Sequence, residues 1–245
     1  MLSVWLCVGG FKPQMCGRFA QTLAPEAMRR LFKATGDYAP WQPRYNVAPQ
    51  SDIPVIRAAG REGGRQLTSM RWGLIPHWAK DAAIGANLIN ARAETLAEKP
   101  SFRDSFAERR CLVPVSAYYE WRKVASGKQP YAIRLKDEPG FAIAGLWSAW
   151  RAPDGEMLLT VCLITTAANP LLAPIHDRMP VIVSPVHYDL WLHGPKEAAQ
   201  HLLVPFPAER MEAWPVSRSV GNPRNEGEGL LARLPPRRAQ PSLIS

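Results

Sequence analysis

The sequence predicts an α+β domain built on a mostly antiparallel sheet curled toward a barrel, with a few short peripheral helices. Two observations carry that reading. The 245 residues include 24 prolines spread along the chain, about twice the usual ~5%, which excludes a helical bundle or coiled coil and favours short strands and turns. Six runs, at 53–58, 66–72, 111–115, 131–136, 141–150 and 157–166, read as strands, several with β-branched or aromatic residues between glycine and proline punctuation. The composition, 47% hydrophobic and 21% charged, is that of a globular chain. A chain of this length hides roughly 70–75% of its unfolded surface and needs neither disulfides nor a structural metal to fold.

The helices and connections follow in chain order. Met28, Leu31 and Phe32 fall at i, i+3 and i+4, so 25–32 reads as a short amphipathic helix that Gly36 follows. Prolines at 43 and 49 make 41–50 an ordered loop. Ser101-Phe-Arg-Asp104 resembles a capping box opening a helix whose Phe102 and Phe106 share a face. Ser184-Pro185 opens another, with Val186, Leu190 and Trp191 inward. Glycine, proline, arginine and glutamate dominate beyond about residue 220. The expected organisation is an extension over 1–14 outside the mature protein, a functional domain over 15–225 and a flexible basic tail over 226–245. The opening MLSVWLCVGGF lacks a basic n-region and a cleavage site, so a cytoplasmic location is expected. No apolar run reaches the ~18 residues of a membrane helix, and no membrane partner is expected.

A net charge of +9 and a pI near 9.7 point to a polyanionic partner, nucleic acid or acidic lipid. Cys7, Cys16, Cys111 and Cys162 show no C-x-x-C pairing, so neither zinc nor a disulfide framework is expected, and no cofactor is implied. Cys16, in Met15-Cys16-Gly17-Arg18-Phe19, has two readings. As an internal residue it is a small buried hydrophobe. If Met15 is the initiator and is removed, Cys16 becomes a terminal 1,2-aminothiol, with an amine of pKa about 7.7–8.0 beside a thiol of about 8.5. Such a group traps an aldehyde twice, first as an imine and then as a five-membered thiazolidine.

Three other segments carry chemistry-bearing residues. In Asn90-Ala-Arg92-Ala-Glu94, Asn90 and Arg92 read equally as a pocket lining and as a turn residue and a surface charge. Glu120 stands among Tyr118, Tyr119 and Trp121 after an apolar run, where desolvation would suit acid–base work, though a paired structural glutamate fits as well. His176-Asp177-Arg178 is a polar island between apolar runs; a lone histidine is usually structural, and its company here is what shifts the balance. Aromatic residues, Trp72, Trp78, Tyr45 and Trp121 among them, accompany Arg18, Arg44, Arg71, Arg92 and Arg178, a pattern that suits single-stranded nucleic acid.

Together MCGRFA at 15–20, RYNVAP at 44–49, WGLIPHWA at 72–79, NARAET at 90–95, YYEW at 118–121, AGLW at 144–147, IHDRMPVI at 175–182 and PVSRSVGN at 215–222 resemble the SRAP family, the SOS-response-associated peptidases or abasic-site processing proteins. The resemblance implies that Cys16 bonds covalently, as a thiazolidine, to the ring-opened aldehyde of an abasic site in single-stranded DNA. It implies that Asn90 orients the terminal residue, that Glu120 assists ring opening and proton transfer, and that His176 acts in imine and crosslink chemistry. Arg18, Trp78 and Arg92 would hold the strand, with Asn46, Pro49 and Thr165 close to the reacting nucleotide. A monomer working on abasic single-stranded DNA is expected; a place beside the replication machinery is not readable. Fourteen residues precede Met15 here, a departure from the family pattern, and while they are attached the Cys16 nitrogen is an amide that forms no imine. Two alternatives stand beside this reading: a cysteine peptidase, autoproteolytic or general, and a non-covalent single-strand binding module.

Overall fold

The computed structural model describes residues 16–38, 40–60 and 63–235. Five strands close on themselves. Asp52–Ala58 pairs with Arg65–Trp72, which pairs in parallel with Met157–Ala167; that strand pairs with Phe141–Arg151, which pairs with Arg110–Val115, and this returns to Asp52–Ala58. All junctions but one are antiparallel. Short strands extend the ring: Asn90–Arg92 runs parallel to Met157–Ala167, with Asn90 opposite Leu163, and Arg178–Pro180 runs antiparallel to its far end, with Thr165 opposite Pro180. The α+β expectation with a curled, barrel-like sheet is met.

A second, five-stranded antiparallel sheet has the order Met211–Pro215, Gly127–Leu135, Ala117–Val124, Phe19–Gln21, Arg44–Val47. Only Ser116 separates Arg110–Val115 from Ala117–Val124, so the chain passes directly from barrel to sheet. Alternation places the two faces of the barrel strands in different cores. Val55, Met70, Val113, Ile143 and Val161 pack with Phe19, Tyr118 and Ile133 of the second sheet. Ile56, Leu67, Leu112, Ala144 and Cys162 pack instead with the helical residues Met28, Phe32, Phe106 and Trp191.

The helix Pro25–Phe32 has the predicted bounds. Four expectations need correction. Arg44–Val47, read as loop, is an edge strand on Phe19–Gln21, because Pro43 and Pro49 flank the pairing residues rather than interrupt them. The helix Arg103–Glu108 has no side-chain cap. The Lys99 carbonyl already accepts the Arg103 N–H, one of the groups a capping Ser101 would take. Pro185–His187 is a separate 3₁₀ turn before the helix Tyr188–His193. That turn resets the phase and leaves Val186 83% exposed while Tyr188 and Trp191 are buried. Residues 226–235 are packed rather than frayed: Glu226 accepts the Tyr45 N–H, the Leu231 carbonyl accepts Trp214 Nε1, and Leu230 is buried. The expected extension 1–14 and the last ten residues lie outside the described residues.

The crossing from barrel to the Asn90 strand depends on two glycines in contact. Gly73 sits at φ 136°, and a Cβ there would fall 2.7 Å from the Gly85 carbonyl oxygen; a Cβ on Gly85 would fall 2.8 Å from that of Gly73. Gly73→Ala is expected to cost about 2 kcal/mol or more, a melting midpoint lower by roughly 4–8 °C. Calorimetry on the purified variant checks this, and an unchanged midpoint would contradict the close approach.

Candidate active site

Register brings the two ends of the site together. Phe19 lies opposite Tyr118 and Ala20 opposite Ala117, so continuing the antiparallel pairing carries the chain before Phe19 along Tyr119 and Glu120. The Arg18 carbonyl accepts the Tyr119 N–H, and the Cys16 nitrogen donates to Glu120 Oε1 at 2.7 Å. Both residues are buried, Cys16 to 1% and Glu120 to 4% exposure. Cys16 holds φ 43°, the left-handed region that a side-chain-bearing residue occupies at a cost.

Burial sets the electrostatics. It pushes the Glu120 carboxyl up to about 8, with the N–H groups of Cys16 and Trp121 partly offsetting it. It also pushes the Cys16 thiol well above its usual range, and the nearby Glu120 adds to that. Burial holds His176 below its ordinary value, with Asp177 opposing. His176 Nδ1 accepts the Arg178 N–H at 3.1 Å and lies 2.9 Å from Asp177 Oδ1. Desolvated groups of both kinds on one wall are the pattern of an acid–base site.

A cavity of about 850 Å³ opens over this pair, lined by Arg18, Pro49, Ile89, Glu120, Trp121 and His176 among others. Glu120, His176, Arg18 and Pro49 therefore meet at one cavity, with Cys16 behind Glu120. Asn90 follows the lining residue Ile89 on the strand held beside Leu163. Arg92, at the end of that strand, and Trp78, 48% exposed, are on the surface. Asn46 and Thr165 are buried. Asn46 accepts from Arg18 Nη1 and donates to the carbonyls of Asn222 and Asn225, while Arg18 also reaches the Val220 carbonyl. These bonds tie the 220–225 segment to the sheet under Cys16. Thr165 lies beneath Arg178, whose guanidinium donates to the Thr165 carbonyl at 2.7 Å and bidentately to Glu94.

That Arg178–Glu94 pair is what the residue-by-residue reading missed. It locks the His176 segment to the Asn90 strand across 84 residues, and only the shared pairing of both with Met157–Ala167 brings them together. Among the described residues no group of three or more histidine, cysteine or acidic side chains could hold a metal.

Residues 15–223 match the family described as SOS response associated peptidase (SRAP). The chain belongs to the SRAP family. Its relatives include an abasic site processing protein, YoqW, of Bacillus subtilis, 42% identical over 89% of this chain and 99% of its own. Another, YedK of Escherichia coli, is 32% identical over 89% and 99%, and HMCES of Xenopus tropicalis is 32% identical over 90% and 78%. Among solved structures, a protein from Bacteroides thetaiotaomicron superimposes with a TM-score of 0.82 at 29% identity, covering 89% of this chain and all of its own. The fold is thus shared with that protein, and the named relatives are abasic site processing proteins.

The raised Glu120 carboxyl makes stability depend on pH. Folded Glu120 keeps its proton up to about pH 8, whereas an unfolded glutamate releases it near pH 4.3, so its contribution is full below that and is lost as pH rises toward 8. In the 245-residue chain, Glu120→Gln is expected to gain in melting temperature on the wild type steadily from pH 5 to 8. Parallel melting curves across that range would show a Glu120 that titrates normally.

Proposed function

We propose that this protein captures abasic sites in single-stranded DNA through a terminal Cys16, forming a thiazolidine with the ring-opened sugar. The observation that carries the reading is the buried Cys16 nitrogen held on the Glu120 carboxyl. In a chain that begins at Cys16 that nitrogen is an α-amine, and the left-handed φ at Cys16 ceases to exist, because φ requires a preceding carbonyl. The family match beginning at residue 15 supports the same start.

The chemistry follows from the arrangement. Beside the α-ammonium of a terminal Cys16 the Glu120 carboxyl ionises and takes its proton, and the free amine adds to the aldehyde carbon while one of its protons passes to the oxygen, giving the carbinolamine. The carbinolamine oxygen leaves as water with a proton from Glu120, giving the imine. The Cys16 thiol then adds to the same carbon and its proton passes to the nitrogen, so the sum is one water lost. His176, kept neutral by burial on the cavity wall, assists sugar opening and imine proton transfers. Arg18 and Pro49 line the pocket for the nucleotide, while Arg92 and Trp78 hold the strand at the surface. The neighbour acting on the Cys16 thiol is a carboxyl group that raises its pKa, the opposite of the imidazole that activates a cysteine peptidase.

Rates of adduct formation on an abasic oligonucleotide test this. Glu120→Gln should slow capture by roughly 10²–10⁴-fold without unfolding. His176→Ala should change the rate of forming or reversing the adduct and leave affinity for intact single strand unchanged. Cys16→Ser keeps the amine and should give a reversible, short-lived adduct, because a hydroxyl is a far poorer nucleophile than a thiolate. A stable adduct from Cys16→Ala, as abundant as the wild type's, would overturn the reading.

A further inference from the structure

The hairpin of Ala117–Val124 and Gly127–Leu135 carries a charge arrangement that the capture chemistry does not use. Lys123 lies directly opposite Lys128 across the ladder, with Arg122 beside them opposite Gln129. Like charges facing each other on an antiparallel pair destabilise it, and all three side chains are exposed. Among the described residues none of the three has an ion-pair or side-chain hydrogen-bond partner. All three nevertheless line the same cavity as Glu120 and His176, and the charges of Lys123 and Lys128 reach His176.

The hairpin end is also held in place. Gln129 Nε2 donates to the Val216 carbonyl at 2.8 Å, and Arg218 donates to Ser126 Oγ at 2.8 Å. The segment that holds it, 216–222, is the one Arg18 and Asn46 fasten beneath the reacting cysteine. A repulsive, unneutralised cation pair on a pinned hairpin at the cavity mouth fits a site whose counter-charge arrives with the ligand.

We propose that Lys123 and Lys128 clamp one backbone phosphate of the DNA strand next to the reacting nucleotide, on the His176 side of the cavity. The proposal rests on the capture reading above and adds residues that none of its steps requires. The clamp orients the strand and takes no part in bond making.

Lys128→Glu separates a binding role from a structural one, because it replaces a repulsive cross-strand pair with an attractive one. The variant should melt at or above the wild-type temperature. Its affinity for an abasic-free oligothymidylate, by fluorescence anisotropy, should fall about fivefold or more at low salt, and its log–log salt slope should become shallower by about 0.7, the loss of one phosphate contact. Capture of an abasic oligonucleotide at limiting DNA should slow in step with the lost affinity, and Lys128→Arg should restore both. Unchanged affinity and salt slope, beside a wild type that captures abasic DNA normally, would overturn the clamp and leave the capture reading intact. A lowered melting temperature would overturn it too, since the pair would then be structural. Wild-type protein that binds oligothymidylate through Lys128 yet never captures the abasic strand would instead overturn the capture reading and leave the phosphate contact standing.

Discussion

The buried hydrogen bond from the Cys16 nitrogen to the Glu120 carboxyl group constrains everything around it. A carboxyl at 4% exposure is costly to ionise, and only donors such as the N–H groups of Cys16 and Trp121 offset that cost. The site therefore holds a group that keeps or releases a proton near neutrality, in contact with the one nitrogen that becomes nucleophilic when the chain starts there. Strand pairing creates this contact: Phe19–Gln21 must lie on Ala117–Val124 in its observed register, and a one-residue slip would turn its side chains to the opposite face and move the Cys16 nitrogen off Glu120.

Two polar ties hold that register and the opposite wall. Arg18 and Asn46 fasten the 220–225 segment to the sheet, so the residues after Cys16 cannot shift without breaking the Arg18 bonds to Asn46 and to the Val220 carbonyl. Arg178, joined to Glu94 and the Thr165 carbonyl, fastens the His176 segment to the strand of Asn90. Partly buried, charge-assisted bonds of this kind are stronger than neutral ones and fix direction as well as distance. The barrel beneath supplies the rigid frame, with Met157–Ala167 as the common partner of both segments.

Much of this was legible in the sequence, for reasons that differ by element. The 25–32 helix shows because its apolar residues repeat at the helical period, and the six strands because their runs are short and bounded by turn residues. Arg44–Val47 was hidden because proline density reads as loop even when both prolines stand outside the paired residues. Val186 was misplaced because a 3₁₀ turn changes the phase of the helix after it. At the site, the reactivity of Cys16 and the unusual setting of Glu120 follow from residue type and neighbours. Their contact does not, since 104 residues separate them. Asn46 and Thr165 show the same limit: the partners that bury them lie far away in sequence and are not legible in their own segments.

The most direct test is the intact mass of the adduct formed with an abasic oligonucleotide, before and after borohydride treatment. The account predicts a chain beginning at Cys16 joined to the oligonucleotide with loss of one water, and a mass that borohydride leaves unchanged, because a thiazolidine has no imine bond to reduce. An adduct carrying residues 1–15, or one that gains two hydrogens quantitatively on reduction, would contradict it.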